Sequence, residues 1–192
     1  MYDVIPVTTP HATACGPTCL KMLLGYYGQD VSLDDLIAEC GVTVTGCNAT
    51  DILRVGRAYG LDMKAYKETA DDAMNMDRPA ILWWRYTHFV VFCGLNEKNE
   101  PVICNPSSGR FPISKEAFTR LFSGIAMTNG ETGDFVPIVE QNAETGKVFI
   151  QGMFTYQALR PIARGEKLIP GCNVNLISLI DLLNEQKKES EE

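Results

Sequence analysis

The sequence predicts an α+β fold in which N-terminal helices pack on an antiparallel sheet. Two observations support this fold class. Apolar residues recur at helical spacing over residues 15–59, and short apolar runs separated by turns follow over residues 80–104. A chain of 192 residues is long enough to bury one full core. Its content of 45% hydrophobic and 21% charged residues is typical of a globular protein.

Three helices are predicted in the first third of the chain. They span residues 15–27, residues 33–39, and a stretch that begins at Asn48 or Thr50 and reaches Tyr59. Each is followed by a glycine, at Gly28, Gly41 and Gly60, which is the residue that most often ends a helix. Ser32 is predicted to cap the second helix, with Asp35 at the capping-box position.

The second third of the chain predicts strands. They are expected at residues 61–66, 80–84, 88–93 and 101–104. The first alternates apolar and polar residues as an edge strand does, whereas the others are almost continuously apolar. A hairpin loop at 96–100 and a turn at 106–109 separate them, and Ser114 is expected to cap a helix over 115–122.

A polar, glycine-bearing linker at residues 129–134 indicates the end of the first domain. We therefore predict one domain over residues 1–129 and a small β-rich extension over residues 130–184. The extension has expected strands at 135–139, 148–159 and 167–169 and ends in a helix over 175–184. The charged tail, residues 185–192, is predicted to be disordered.

Charge and composition exclude several classes of partner. A net charge of −7 and a pI near 4.9 argue against nucleic acid, whose phosphates require a basic face, but suit a basic or neutral peptide. No apolar run approaches the roughly 20 residues that cross a bilayer, so no membrane insertion is expected. The first residues lack the pattern of a signal peptide. Seven dispersed cysteines indicate a reduced protein, and we predict a cytoplasmic one.

Cys15 is the residue most indicative of chemistry. It lies at the predicted start of the first helix, just before Gly16 and Pro17. Unpaired N–H groups and the helix dipole at such a position stabilise a thiolate and a nearby oxyanion. Cys19, one turn later, is interpreted as a core residue. The position of Cys15 predicts a nucleophile.

The chain has only two histidines, His11 and His88, so a base for Cys15 has two candidates. His88 begins the predicted strand 88–93, and Asn105 follows the next strand. Because a hairpin places the start of one strand beside the end of its neighbour, His88 and Asn105 are expected to be adjacent. Cysteine, histidine and asparagine in this order match the catalytic logic of papain-like enzymes: nucleophile, general base and orienting residue.

No cofactor or metal site is predicted. The four-residue spacing of His11, Cys15 and Cys19 resembles a metal-binding pattern, but Pro10 interrupts the helical register and a fourth ligand is missing. Cys93 and Cys104 are expected to be neighbours across two strands and to be core thiols rather than a disulfide.

Residues 5–127 resemble the peptidase domain of bacteriocin-processing ABC transporters, the papain-like cysteine peptidases of double-glycine leaders. The matching segments are Cys15 with Gly16 and Pro17, then residues 25–28, 31–36, 52–61, 88–91, 105–109 and 114–124. The resemblance implies a papain-like fold and a cysteine peptidase that removes leader peptides after a small pair such as Gly-Gly or Gly-Ala.

The resemblance also identifies a departure. This family usually has a glutamine six residues before the cysteine, where its amide completes the oxyanion hole, and this chain has Thr9 there. Thr9, His11, Thr13 or a backbone group is left to supply that donor. The alternative function is therefore a peptidase-like module that binds a peptide or partner protein without cleaving it. Such a module could belong to a phage or bacteriocin-cluster assembly and dock through residues 130–184.

Overall fold

The computed structural model describes residues 1–9, 11, 13–44 and 46–130, together with the backbone of two later strands. The helices are α1 (Cys15–Tyr26), α2 (Leu33–Glu39), α3 (Ala49–Ala58), α4 (Ala70–Met74) and α5 (Lys115–Leu121). The strands are β1 (Met63–Lys67), β2 (Ala80–Trp84), β3 (His88–Leu95), β4 (Pro101–Asn105), β5 (Gly109–Pro112), β6 (Phe122–Asn129), β7 (Val139–Gln141) and β8 (Val148–Ile150). The α+β class is confirmed.

Six strands form one antiparallel sheet in the order β1-β6-β2-β3-β4-β5, and β7 pairs with β8 separately. At one end of the large sheet, Trp84 at the end of β2 is paired with His88 at the start of β3. Asn105, at the end of β4, lies at this same end because β4 runs antiparallel to β3. This sheet end positions the polar half of the candidate site.

The sheet is buried on both faces by two apolar cores. Helices α1, α2 and α3 cover one face, where Leu20 and Ile52 belong to the same buried apolar cluster as Val91 of β3. Helices α4 and α5 cover the other face, where Phe118 meets Phe92 of the same strand. Strands buried on both sides have continuous apolar sequences, which explains why β2 and β3 were readily predicted.

Several elements differ from the predictions. The sequence reasoning missed α4, β5 and β6, and it extended the helix predicted over 115–122 one residue too far, because Phe122 already begins β6. The predicted side-chain cap at Ser32 is wrong, since its side chain makes no capping hydrogen bond. The cap at Ser114 is confirmed, with Oγ accepting a hydrogen bond from the N–H of Ala117 at 3.1 Å.

The predicted β-rich extension lies mostly outside the described residues. Strand β7 shares its first residue with the segment predicted at 135–139, and β8 lies within the segment predicted at 148–159. The expected strand at 167–169, the helix at 175–184 and the tail at 185–192 are outside the described part of the chain, so they stay predictions. The domain division at residue 129 stays a prediction as well.

Candidate active site

Cys15 is the first residue of α1, and the sequence around it leaves two backbone donors free. Pro17 lies in the first turn, where its missing N–H removes no helical hydrogen bond. The first turn closes when Thr18 donates to the carbonyl of Ala14, from its N–H at 3.0 Å and from its hydroxyl at 2.7 Å. The N–H groups of Cys15 and Gly16 therefore remain available, and both face the Cys15 sulfur.

Gly16 is required by packing rather than by backbone conformation. A Cβ atom at this position would lie 2.7 Å from the sulfur of Cys47 and 2.8 Å from Cδ1 of Ile52. Cys47 is itself buried, in the same apolar core as Cys40. Sequence reasoning missed this support for the nucleophile, because nothing in the spacing of the cysteines indicates that Cys47 packs beneath Cys15.

Two opposing effects act on the pKa of the Cys15 thiol. Burial raises the pKa of its thiol, and the backbone N–H groups of Phe89, Gly16 and Cys15 itself lower it by a smaller amount. The net direction is upward, opposite to the direction that a helix start alone predicts. Burial therefore has a larger effect on the pKa of this thiol than the backbone N–H groups of the helix start.

His88 and Asn105 are joined by a hydrogen bond of 3.1 Å between Nε2 and Oδ1. The same Oδ1 accepts the backbone N–H of Ser107 at 2.9 Å. A backbone N–H can only donate, so the atom that faces it must be the amide oxygen rather than the nitrogen. Nε2 of His88 must then carry the proton, which leaves Nδ1 of the neutral ring as the acceptor.

The predicted proximity of His88 and Asn105 is therefore found in the structure. It follows from the pairing of β3 with β4, since Val91 lies opposite Cys104 and the following residue of β4 reaches toward the start of β3. Sequence reasoning predicted the turn at 106–109 but not the hydrogen bond from the Ser107 N–H to Asn105. The catalytic roles of Cys15, His88 and Asn105 stay predictions.

The nucleophile candidate meets the sheet next to the base candidate. The Cys15 sulfur faces the backbone N–H of Phe89, the residue that follows His88. Within the described residues, the side-chain hydrogen bond of the His88 ring is made to Asn105 and none joins the ring to the thiol. The N–H that faces the sulfur thus belongs to the peptide unit that joins His88 to Phe89.

Thr9 lies beside the turn that follows Asn105. Its backbone N–H donates to the carbonyl of Pro106 at 3.0 Å, and its Oγ1 accepts the N–H of His11 at 3.2 Å. Because the Thr9 N–H is already bonded, only its hydroxyl proton remains to serve an oxyanion. The N–H of Cys15 is the backbone candidate for the same task.

The turn before His88 is strained, which the sequence did not indicate. Arg85 and Tyr86 have φ of 51° and 61°, a region that bulky residues rarely adopt. Two hydrogen bonds of 2.8 Å hold the turn on the end of α5 and the start of β6, from the Arg85 N–H to the Leu121 carbonyl and from the Tyr86 N–H to Oγ of Ser123. Such strain costs on the order of 1–3 kcal/mol per residue and is concentrated at functional sites.

Within the described residues, no group of three or more His, Cys, Asp or Glu side chains is arranged to hold a metal ion. Cys19 is fully buried in the core, as predicted, whereas His11 is exposed. The sulfurs of Cys93 and Cys104 are 3.2 Å apart and remain free thiols, which agrees with the expected cross-strand pair of core residues.

The sequence model described as the peptidase C39 family matches residues 6–132, about two thirds of the chain. The chain belongs to the peptidase C39 family. The resemblance identified from the sequence is thereby confirmed. The C39 domain coincides with the described helices and the six-stranded sheet, so it contains Thr9, Cys15, His88 and Asn105.

Curated relatives of the C39 domain include two proteins of Escherichia coli. A probable microcin-H47 secretion/processing ATP-binding protein is 29% identical over 138 residues, which cover 71% of this chain and 20% of that protein. A colicin V secretion/processing ATP-binding protein is 30% identical over 124 residues, 64% of this chain and 18% of that protein. The chain thus spans about a fifth of the length of these relatives.

Solved structures are similar to the same region. A double-glycine-motif protease from an AMS/PCAT transporter, crystallised in complex with the leader peptide, is 35% identical with a TM-score of 0.62, covering 65% of this chain and 89% of that one. The peptidase domain of Streptococcus ComA is 23% identical with a TM-score of 0.59, covering 65% and 96%. The papain-like peptidase fold predicted from the resemblance is confirmed.

Of the helices in the described part of the chain, none has the length and apolarity to span a membrane.

Proposed function

We propose that the C39 domain is a cysteine peptidase that cleaves a peptide or leader segment after a pair of small residues. Cys15 is the nucleophile, His88 the general base and acid, and Asn105 the residue that orients the imidazole. The observation that carries this proposal is a pair of hydrogen bonds to Oδ1 of Asn105. The N–H of Ser107 donates one, which identifies this atom as the amide oxygen, and Nε2 of His88 makes the other.

The first step is removal of the thiol proton. Because Nε2–H is held by Asn105, the free Nδ1 of His88 is the atom that accepts the proton of Cys15. The resulting imidazolium stabilises the thiolate, which burial alone disfavours. The sulfur then attacks the carbonyl carbon of the scissile bond, and the electron pair of the C=O bond moves to its oxygen.

The second step is collapse of the tetrahedral intermediate. The N–H of Cys15 and the hydroxyl of Thr9 are the donors that would hold the negative oxygen. His88 returns its proton to the amine nitrogen, the C–N bond breaks, and an acyl-thioester remains on Cys15. A water molecule, deprotonated by His88, then hydrolyses the thioester and restores the thiol.

The substrate preference is supported by family membership and by likeness to a double-glycine-motif protease. We propose Gly-Gly or Gly-Ala as the pair before the scissile bond. The curated relatives take part in the secretion and processing of microcin H47 and colicin V, so bacteriocin precursors are the substrate class we propose for this chain. A cytoplasmic location is proposed too, because the described cysteines are free thiols.

The test is a mass-spectrometric cleavage assay on double-glycine peptides with the full chain. Cleavage after the second glycine is expected for the wild type, and Cys15→Ala is expected to lower turnover by roughly 10⁴-fold or more. A peptide in which valine replaces the second glycine is the substrate control. Equal turnover by the wild type and Cys15→Ala would reject Cys15 as the nucleophile.

A second candidate function is peptide binding without cleavage. Two observations favour it: Thr9 occupies the position where this family usually has glutamine, and burial raises the pKa of the Cys15 thiol. Binding of double-glycine peptides with no cleavage by the wild type would support this function over the first. Docking of a partner protein through residues 130–184 stays a prediction.

A further inference from the structure

The turn between β2 and β3 has a backbone conformation that its own residues disfavour. Arg85 and Tyr86 have φ of 51° and 61°, and the N–H of Thr87 donates to the carbonyl of Trp84 at 3.2 Å. Positive φ at both central positions is the pattern of a type I′ turn, where asparagine followed by glycine is preferred. Residues 85–87 are exposed, so burial in the core does not stabilise this conformation. Other contacts have to offset its strain.

The neighbouring strand β6 has a bulge beside this turn. Between the pairs that Leu82 and Trp84 make with β6, β2 has one residue and β6 has three, residues 123–125. Gly124 in the bulge has a φ of +84°. Its carbonyl accepts the backbone N–H of Glu68, whose buried carboxyl has no hydrogen bond within the described residues, at 3.0 Å. Bulges re-aim side chains and are common next to active sites.

The bulge brings Ser123 to the turn. Its Oγ accepts the N–H of Tyr86 at 2.8 Å, and the N–H of Arg85 donates to the carbonyl of Leu121, also at 2.8 Å. The ring of Tyr86 meets the ring of Trp83 edge to face, with centroids 5.5 Å apart. Of these contacts, the bond to Ser123 depends on a side-chain hydroxyl, so a single substitution can remove it.

The same turn leads directly into His88. His88 is the first residue of β3 and pairs with Trp84, so the backbone before it is the turn and not a paired strand. Its ring is half-buried, and its hydrogen bond to Asn105 holds only Nε2. A change in the turn would therefore tilt the ring about this bond and displace Nδ1, the atom that accepts the thiol proton in the proposed reaction.

We propose that Ser123 is a positioning residue for the general base. Its Oγ holds the strained turn on β6, and the turn fixes the angle at which the imidazole of His88 leaves β3. Nδ1 is thereby directed to the sulfur of Cys15 while Nε2 stays on Asn105. Ser123 acts through the turn and not on the substrate. This proposal rests on the proposed peptidase function.

The first experiment measures kcat and KM of the full chain on a double-glycine peptide. Ser123→Ala is expected to lower kcat roughly three- to tenfold, the effect of one net hydrogen bond, with KM changed by less than about twofold. Ser123→Thr keeps the Oγ acceptor and is expected to restore kcat. Ser32→Ala is the control, because Ser32 is exposed and its side chain makes no capping hydrogen bond. A Ser123→Ala chain with the kcat of the wild type would overturn the proposal.

Relaxing the turn tests whether Ser123 acts through it. The pair Arg85→Asn and Tyr86→Gly gives the turn the residues that its conformation favours, so it no longer needs the acceptor. In this background Ser123→Ala is expected to change kcat by less than about twofold. An equal loss in both backgrounds would show that the hydroxyl does not act through the turn.

A spectroscopic measurement separates this proposal from the peptidase assignment. The chain has two histidines and His11 is exposed, so the imidazole N–H signal of His88 can be assigned by its loss in His88→Ala. Exchange of the Nε2 proton with water is expected to be roughly three- to tenfold faster in Ser123→Ala than in the wild type, and unchanged in Ser123→Thr. Faster exchange in a chain whose wild type cleaves no peptide would support the positioning role and contradict the peptidase assignment. Equal exchange in the wild type and Ser123→Ala would contradict the positioning role, whatever the activity.

Discussion

The two halves of the candidate site are held in place by different forces. On the helical side, Cys15 and Gly16 are positioned by close packing against Cys47 and Ile52, in a core with no room for one additional carbon. On the sheet side, His88 is positioned by a polar network, because a backbone N–H fixes the oxygen of Asn105, which in turn accepts a hydrogen bond from the imidazole.

Mutations in the two halves should therefore have different effects on stability and activity. A change on the helical side alters volume in a packed core, so it should lower the free energy of unfolding as well as activity. A change at the half-buried sheet side removes hydrogen bonds near solvent, so it should lower activity while leaving most of the fold energy intact. Measuring both activity and the free energy of unfolding for mutations in each half tests this comparison.

Among the variants that compare the two halves, the largest effect is expected at Asn105. Asn105→Ala removes the acceptor that holds the Nε2–H of His88, so the ring loses its fixed tautomer and orientation. We expect kcat/KM for a double-glycine peptide to fall on the order of 10³-fold, with little change in the melting temperature.

Asn105→Asp is the matched variant for this change. It keeps the acceptor and adds a negative charge beside the imidazole, which favours the imidazolium. Activity is expected to be retained, with the alkaline limb of its pH profile moved to higher pH. An Asn105→Ala variant of unchanged activity would show that the hydrogen bond does not orient a base.

A substitution at Thr9 tests whether the hydroxyl of this residue helps to hold the oxyanion. Thr9→Val keeps the volume of the side chain and removes its hydroxyl, so kcat is expected to fall about 10²-fold if that hydroxyl is the donor. Thr8→Val is the control, because Thr8 is an exposed neighbour. Equal kcat for Thr9→Val and the wild type would assign the oxyanion to backbone donors alone.

Gly16 tests the packed half. Gly16→Ala would place a methyl group 2.7 Å from the sulfur of Cys47, so we expect a loss of about 1–3 kcal/mol in the free energy of unfolding by urea, together with lower activity. Gly25→Ala is the matched control in the same helix, where no atom lies within 4 Å of the added carbon. That control should be neutral or stabilising by up to about 1 kcal/mol. Equal stability of the two variants would contradict the packing argument.

The smallest effect is expected at Glu68 and depends on pH. Burial raises the pKa of its carboxyl from 4.5 to about 7, so the folded chain binds the proton more tightly than the unfolded chain. Its contribution to stability is therefore complete below pH 4.5 and is lost as the pH rises through about 7. Glu68→Gln should thus become progressively more stable than the wild type over this range in urea titrations. A stability difference independent of pH would mean that the carboxyl is paired.

Much of the fold could be predicted because the relevant signals are local. The stripe of leucines in α1 and the continuous apolar runs of β2 and β3 predict those elements almost to the residue. The missed strand β6 is different, since Ser123 and Gly124 interrupt its apolar run and Gly124 has a φ of +84°. Its strand state comes from pairing with β1 and β2, which no local pattern contains.

The same distinction applies to the site. Cys15, His88 and Asn105 were identified from residue type and order along the chain, and hairpin geometry predicted the proximity of the last two. The support from Cys47 and the unpaired carboxyl of Glu68 depend on burial, which only the folded chain defines. The net rise in the pKa of the Cys15 thiol was not predictable, because burial there outweighs the helix N-terminus.

The central claim is that the imidazole of His88 activates the sulfur of Cys15. Its most direct test is the rate at which iodoacetamide alkylates each cysteine near pH 6, measured by mass spectrometry in the wild type and in His88→Ala. The account predicts that Cys15 of the wild type is alkylated much faster than the buried cysteines and that His88→Ala removes this advantage. Equal alkylation of Cys15 in the two proteins would contradict it.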